Sequence, residues 1–486
     1  MRVYSYEEFL QSIEISYDNW DDFGYKNTAK LSIDDEGILF NIYPNKYEIY
    51  NQIKLGDVKT KILFVLGSRK YYELINSKLR TQEDRNRWYE LTNDLAYNID
   101  LLDYFLNKNG EEKPEVKEEI KKIIIKSFMR FIGYSEIKNQ LHRMTKGGKY
   151  LEAYNVSVLN KDSHKLILDI NVDPDVDIPE NTFGLIGKNG SGKTYILNNL
   201  AKLFLNQPSI FSFKDKTEDP FNKVLHVSYS PFDNLEISNI EKVPFEKIGL
   251  TLDINNKYDK TISECFNIEL GNCIKDIISP GNIASKDMWL SILENFSYEN
   301  WIADFLKRIE GIHLANEEHG LNTAIYSLSS GQKIILLTIT NLILKVREKT
   351  LVLIDEPELF LHPSLAKSYI RGIIEIITKT NGICIIATHN PLILQELQTR
   401  CVNVTIKEND RYDIKNLMEY KVNSYGESVN VLNNVIFGID IQNTGYYQYL
   451  ASFKNKNKLI EKSEELFNKM GSEGRVLLSY LISEEK

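Results

Sequence analysis

One eight-residue stretch limits the possible folds more than anything else in the chain: Gly187-Lys188-Asn189-Gly190-Ser191-Gly192-Lys193-Thr194 fits the pattern GxxxxGK[ST]. The apolar run Phe183 to Ile186 precedes it, and the helical pattern TYILNNLAKLFL follows. Strand, glycine loop and helix therefore come in the order that a phosphate-binding loop requires, and an α/β fold is the expected host. Gly187, Asn189, Gly190, Ser191 and Gly192 are expected to turn backbone N–H groups toward phosphate oxygens, where the helix N-terminus adds partial positive charge. Lys193 should reach the β- and γ-phosphates, and the Thr194 hydroxyl should ligate Mg²⁺.

Downstream, Thr350-Leu351-Val352-Leu353-Ile354-Asp355-Glu356-Pro357 is a continuous apolar run ending in two carboxylates, the pattern of a strand buried on both faces. Ligands bind at the C-terminal ends of strands in an open parallel sheet. Asp355 is therefore expected in the Mg²⁺ shell and Glu356 as general base for an attacking water. The run GICIIATHNP (382–391) repeats the buried-strand pattern and delivers His389 to its polar end, where it would contact a γ-phosphate and orient the water. A neutral imidazole can donate one such hydrogen bond. Leu328-Ser329-Ser330-Gly331-Gln332 stands ahead of the helical run KIILLTITNLILKV, with Gly331 24 residues before Asp355. Ser329 at the N-cap and Gln332 three residues on form a capping box, which prepares a second helix N-terminus for an anion.

Taken together, GKNGSGKT, LSSGQ, LVLIDEPE and ATHNP resemble the nucleotide-binding head of the ABC ATPase superfamily. DEPELFLHPS followed by the THNP histidine resembles the OLD/RecF/Rad50/SMC-like branch rather than transporter cassettes. The resemblance covers roughly residues 151–410. It implies an ABC-type P-loop ATPase head that binds and hydrolyses ATP with Mg²⁺ and packs head to tail with a second copy. It further implies that Ser329, Ser330, Gly331 and Gln332 of one copy cap the ATP held by the other's phosphate loop, with His362 to Ser364 at the dimer seam. The chain departs from the family at VLHVSYSPFDN (224–234), which stands at the Q-loop position without a glutamine and leaves Ser230 or Asp233 to substitute. Ser330 replaces the usual first glycine of the signature, and Tyr154 is the candidate for adenine stacking.

Residues 1–66 alternate apolar and polar positions in short runs (AKLSI, GILFNIY, KILFVL), which predicts an antiparallel sheet, expected to be the N-terminal β lobe of the ATPase head. Residues 67–150 read as an inserted helical segment, broken by the loop NKNGEEKP at 107–114. Residues 151–410 hold the ABC ATPase core, in which 151–159 and 164–172 read as two strands joined by NKDS, and residues 411–486 form a C-terminal segment with a helical tail. Residues 121–150 carry eight Lys and Arg against Glu136 alone, which fits either a solvated helix face or a surface for a DNA backbone; residues 1–50 carry ten acids and four bases.

Over all 486 residues, 59 Lys and Arg against 68 Asp and Glu give a net charge of −9, which argues against coating nucleic acid through the overall field. The four cysteines form no CxxC pair, so neither a zinc site nor a disulfide framework is suggested, and a reducing cytoplasm fits. No segment reaches about 18 uncharged apolar residues, so no membrane insertion is expected. Only about 135 residues separate Thr194 from Ser329, without heptads, which argues against a full-length SMC-type protein. Residues 411–486 lack the acidic cluster of a Toprim nuclease.

The chain thus resembles stand-alone ABC-type ATPases of bacterial anti-phage defence systems, such as the ATPase subunits of Septu, retron-associated and PARIS-like operons. That resemblance implies an ATP-sandwich dimer or larger homo-oligomer that acts as sensor and regulator of a separate effector, a nuclease or toxin. Two alternatives stay open on the sequence. One is a RecF-like DNA-maintenance ATPase binding DNA through residues 121–150; the other is an ATP-bound scaffold with little turnover that holds a toxin inactive.

Overall fold

The computed structural model describes residues 2–17, 27–43, 64–106, 115–130, 132–215, 220–230, 243–249, 262–279, 282–315, 318–408, 411–438, 445–452 and 462–483. Among these, three sheets organise the chain. The first joins β1 (Glu14–Tyr17), β2 (Thr28–Ile33), β3 (Glu36–Tyr43) and β4 (Phe64–Gly67) in that spatial order, every pair antiparallel. In the second, β5 (Tyr154–Asn160) pairs antiparallel with β6 (Leu166–Val172). The central sheet starts with β7 (Thr182–Ile186), and β8 (Phe211–Phe213) returns to pair with β5. The other central strands are β9 (Lys223–Ser228), β10 (Phe245–Gly249), β11 (Thr350–Asp355), β12 (Ile383–Thr388), β13 (Val402–Glu408) and β14 (Arg411–Asn416). Their spatial order is β10-β9-β11-β12-β7-β13-β14, parallel throughout except for β14.

Every residue of β11 and β12 is buried. Side chains alternate across a strand, so Leu351 and Leu353 enter one core while Val352 and Ile354 enter the other. Helices Ile262–Ile278, Ser330–Lys345 and Pro363–Thr380 fill the second core; β5, β6, β8 and helix Lys193–Phe204 fill the first. Two covered faces explain why these strands read as unbroken apolar runs. Burying each Leu, Ile or Val contributes about 1.5–3 kcal/mol, which holds the strand ends in fixed relative positions.

The N-terminal antiparallel sheet expected from the sequence is present as β1 to β4. The first sheet shares a separate core with helices Arg69–Lys78, Gln82–Leu91, Ile99–Leu106 and the segment 115–145: Phe9, Leu31, Ile42 and Phe64 pack with Tyr72, Trp88, Phe105, Phe128 and Leu141. A further antiparallel layer, β6-β5-β8, packs against the central sheet. Alternation marks a sheet with one apolar face but says nothing about what covers that face. The loop expected at 107–114 lies outside the described residues.

A polar seam joins this N-terminal unit to the head. Arg143 Nη2 donates to both carboxylate oxygens of Glu348 at 3.0 and 3.1 Å, and Arg143 Nη1 lies 3.2 Å from Glu152. Arg347 pairs with Glu136 at 2.9 Å, Lys149 with Asp175 at 2.8 Å, and Arg130 donates to Ser279 at 3.1 Å. Three of the eight basic residues of 121–150, Arg130, Arg143 and Lys149, are therefore engaged within the chain. No helix among the described residues is long and apolar enough to cross a membrane. Helices Gly445–Ala451, Ser463–Lys469 and Ser472–Ser483 close over Leu450, Leu477 and Leu478.

Candidate nucleotide-binding site

The glycine loop leaves the end of β7, a strand flanked on both sides, and runs into the helix that begins at Lys193. Gly190 and Gly192 have φ of +79° and +90°, the left-handed region that a side chain disfavours. Gly192 has a second reason to lack a side chain: a Cβ there would lie 2.3 Å from the ring of Tyr412. Lys193 is buried, and its ammonium donates to the carbonyls of Gly187 at 3.1 Å and Lys188 at 3.4 Å, beneath the loop. Lys188, Asn189 and Gly190 are exposed, and a Cβ on Gly190 would meet nothing within 4 Å. The concavity is thus open above a buried cation, which fits the phosphates of a nucleotide. From β13, the Thr405 hydroxyl bonds the Ile186 carbonyl at 3.2 Å and shares a 2.6 Å hydrogen bond with Ser191, bracing the loop from below.

Four parallel neighbours, β9, β11, β12 and β7, end along one edge of the sheet, which brings Asp355, Glu356 and His389 beside the loop. Asp355 is buried at the end of β11, opposite Ala387 in register. Glu356 follows with φ +44°, an uncommon conformation for a residue with a side chain, held by its N–H bond to the Ala387 carbonyl at 2.8 Å. His389 Nδ1 lies 3.5 Å from Glu356 and 3.3 Å from Glu358. Nδ1 thus faces two carboxylates, a surrounding that favours a proton on that nitrogen. The ring stands at the strand ends beside Glu356, where the sequence expects contact with a γ-phosphate and the attacking water.

Glu358 was not singled out from the sequence. Its Oε1 accepts from the Thr388 hydroxyl at 2.5 Å and the His389 N–H at 3.1 Å, so it ties the loop after β11 to the end of β12. Its Oε2 is buried without a protein partner. The only signal was its place as the second glutamate of DEPE. Thr405, Tyr412 and Tyr195 gave none, because their proximity to the glycine loop depends on strand pairing.

The capping box forms as expected: Ser329 N–H donates to Gln332 Oε1 at 2.8 Å, and Gln332 N–H to Ser329 Oγ at 3.4 Å. The helix behind it is buried from Ile334 to Ile343 and is fixed by a 2.6 Å bond between Tyr229 and Thr338 and by Trp289 donating to Thr340 at 3.0 Å. A Cβ on Gly331 would come within 2.8 Å of the Phe360 carbonyl, so the signature packs on the loop after β11 of its own chain. Ser329 and Ser330 remain exposed and Gly331 and Gln332 half-buried. His362 stands exposed at the N-cap position of helix Pro363–Thr380, with Nδ1 2.9 Å from Ser364 Oγ. The site therefore has two parts: the loop, carboxylates and histidine at the strand ends, and the signature on a separate helix.

Two secondary expectations fare differently. β9 ends at Ser228, whose hydroxyl accepts from the Ser230 N–H at 3.3 Å, while Asp233 lies outside the described residues. Tyr154 is misplaced for adenine. Its hydroxyl donates to the Asn381 carbonyl at 2.9 Å and Lys349 lies 5.5 Å from its ring, at the N-terminal ends of β11 and β12, across the sheet from the glycine loop.

An α/β fold with a phosphate-loop motif between strand and helix accounts for these positions. Residues 282–395, which hold the signature, both carboxylates and His389, match the family model described as "AAA domain, putative AbiEii toxin, Type IV TA system". Protein ea59 of Escherichia phage lambda is 25% identical over 509 residues, an alignment that covers 96% of this chain and 94% of that protein. Among solved structures, cbiO1 from Clostridium perfringens, part of the ABC transporter complex cbiONQ, is 14% identical with a TM-score of 0.29, covering 55% of this chain and 90% of that one. A nucleotide-free ATP-binding cassette from an ABC transporter is 17% identical with a TM-score of 0.27, covering 55% and 94%.

Proposed function

We propose that the chain is an ATPase of the OLD/RecF/Rad50/SMC-like branch that clasps ATP between two copies and hydrolyses it to switch a partner effector in conflict between phage and host. The observation that carries the first half is the convergence of the glycine loop, Asp355, Glu356 and His389 on adjacent strand ends, while the exposed Ser329 capping box stands on another element. Backbone N–H groups of residues 190–194 and the Lys193 ammonium would bind the β- and γ-phosphates. Thr194 and Asp355 would hold Mg²⁺, which neutralises phosphate charge. Glu356 would take a proton from the attacking water and His389 Nε2 would orient that water, with Glu358 keeping the imidazole in place. Ser329 and Gly331 of the second copy would complete the grip on the γ-phosphate, so that ATP closes the pair and hydrolysis reopens it. Support for the partner role comes from the toxin named in the family description and from a phage-encoded relative.

The test is Glu356→Gln, which should keep ATP bound and trap a dimer or larger assembly in sedimentation or light scattering. A variant that stays monomeric with ATP counts against the clasp. The same variant should fix the partner in one state, so phage plating on cells carrying the chain with its neighbouring genes should differ from wild type. Equal plating removes the partner role and leaves the ATPase.

A further inference from the structure

We infer that a cavity at the edge of the central sheet away from the glycine loop binds a small zwitterion, an α-amino acid with an apolar side chain. The cavity has a volume of about 840 Å³ and lies between the N-terminal unit, helix Ile262–Ile278 and the C-terminal end of helix Ser330–Lys345. Lys223 opens β9 and Arg347 precedes β11, so its walls stand at the ends of these strands opposite the candidate nucleotide site. The assignment does not depend on the nucleotide reading.

Asn341 carries the argument. It is fully buried and lines the cavity; its Nδ2 donates to the Leu337 carbonyl at 3.0 Å, and its Oδ1 has no hydrogen-bond partner among the described residues. Turning the amide over would set two carbonyl oxygens against each other, so an acceptor is the group left for the cavity. A buried acceptor without a donor is costly, and an N–H from a ligand removes that cost. Glu269 lies on the cavity side of helix Ile262–Ile278, whose Leu270, Ile274 and Ile277 enter the core. Burial outweighs the nearby Lys345 there and pushes the Glu269 carboxyl up. Lys223 and Lys345 share the single Glu246 carboxylate at 2.6 and 3.1 Å, and burial pushes Lys223 down. The carboxylate is thus short of a cation and the lysine pair short of an anion.

A ligand with both charges on neighbouring atoms satisfies both needs. Asn341 and Lys345 are one helical turn apart, about 5–6 Å between Cβ atoms, a spacing that suits two groups on one carbon. The ammonium would donate to Asn341 Oδ1 and Glu269, and the carboxylate would accept from Lys345, whose three donors can serve Glu246 as well. Arg130, Lys223, Lys345 and Arg347 line the cavity with Glu269 and Asp276; Glu246 and Glu136, which pair with three of those cations from outside the lining, bring the sum of charges to zero. Separated charges that sum to zero favour a zwitterion over a net cation or anion. Ile132, Ile268 and Leu344 supply apolar surface for the side chain.

The experiment is equilibrium dialysis of the full chain against radiolabelled L-leucine and L-phenylalanine, with L-leucinamide and N-acetyl-L-leucine as competitors that each lack one charge. Saturable binding of at least one amino acid is expected, with both competitors at least about 10-fold weaker than unlabelled leucine. Glu269→Gln and Asn341→Leu each remove a bond to the charged ammonium, so each should weaken binding about 10- to 100-fold while circular dichroism shows the wild-type fold. Lys193→Ala, at the other end of the strands, should bind the amino acid as wild type does. No saturable binding of either amino acid overturns the assignment. So do competitors as effective as leucine, undiminished binding in Glu269→Gln, or a loss in Lys193→Ala, which would place the amino acid elsewhere.

Discussion

The N-terminal unit and the P-loop head fill their cores with different side chains. The first is aromatic: Phe9 meets Trp88 edge-on at 5.3 Å and Phe40 stacks on Tyr71 at 5.4 Å, with Tyr72, Tyr89, Phe64 and Phe128 around them. Buried phenols and indoles require hydrogen-bond partners. Trp88 donates to Tyr71 at 2.9 Å and Tyr72 to Asp94 at 3.0 Å, so a carboxylate is drawn into the middle of the unit. The head's strands are filled mainly by Val, Leu and Ile, and most of their polar side chains gather at the strand ends, where the candidate site lies. In the N-terminal unit this polar network lies inside, where it serves stability; in the head's sheet the carboxylates and histidine of the candidate site lie at the strand ends, where they can meet a ligand.

Each unit also contains a buried group whose titration is strongly shifted by burial, and the two oppose each other. Burial pushes the Asp94 carboxyl up to about 7, against hydrogen bonds from Tyr97, Tyr72 and Ala96 that favour its charge. The folded state therefore holds the extra proton. Its stabilising effect is full below about pH 4 and is lost as pH rises through about 7, on the order of 4 kcal/mol in all. Burial, helped by Lys247, pushes His226 of β9 down to about 4. Here the unfolded state holds the extra proton, so stability is full above about pH 6.5 and is lost as pH falls toward 4, on the order of 3 kcal/mol. Denaturant unfolding from pH 4 to 8 should show the N-terminal unit weakening on the alkaline side and the head on the acid side. Asp94→Asn should flatten the first trend alone; a trend that survives this change means that another group drives it.

The seam between the units should yield a smaller effect. Glu348 is buried and also accepts from Asn381 Nδ2 at 2.9 Å and the Glu152 N–H at 3.1 Å, so Arg143→Ala removes its countercharge but not all of its hydrogen bonds. The expected cost is about 2–3 kcal/mol, below that of a buried charge left with nothing. In scanning calorimetry the loss should appear as separation of the two units into distinct transitions. A single transition at the wild-type temperature would mean that the seam does not couple them.

What could be read from the sequence divides along the same line. The glycine loop, the runs ending at Asp355 and Thr388, and the Ser329 capping box are local patterns, and each folds from residues within a few positions of one another. Tyr154 was misread because a strand's sequence does not reveal which end of the sheet its aromatic residue will reach. Which helices cover the first sheet is hidden in the sequence for a similar reason, since Phe64 and Trp88 meet only through tertiary packing. Glu358 and Tyr412 stayed hidden because their partners, at Thr388 and Gly192, come from other strands or loops.

The smallest effect on stability gives the sharpest comparison, because the two units carry the same device. Ser5 caps helix Tyr6–Ser12 in the N-terminal unit, with its N–H donating to Glu8 at 2.9 Å, as Ser329 does toward Gln332 at 2.8 Å in the head. By local physics alone, Ser5→Ala and Ser329→Ala should each cost about 1 kcal/mol. If Ser329 also grips a γ-phosphate across the dimer, its replacement should reduce ATP-dependent association far more than that cap energy explains, while Ser5→Ala leaves association unchanged. Sedimentation with and without ATP reads the difference directly. Equal association in the two variants would make the Ser329 box an ordinary helix cap, and the head would then have to hold its nucleotide without help from a second copy.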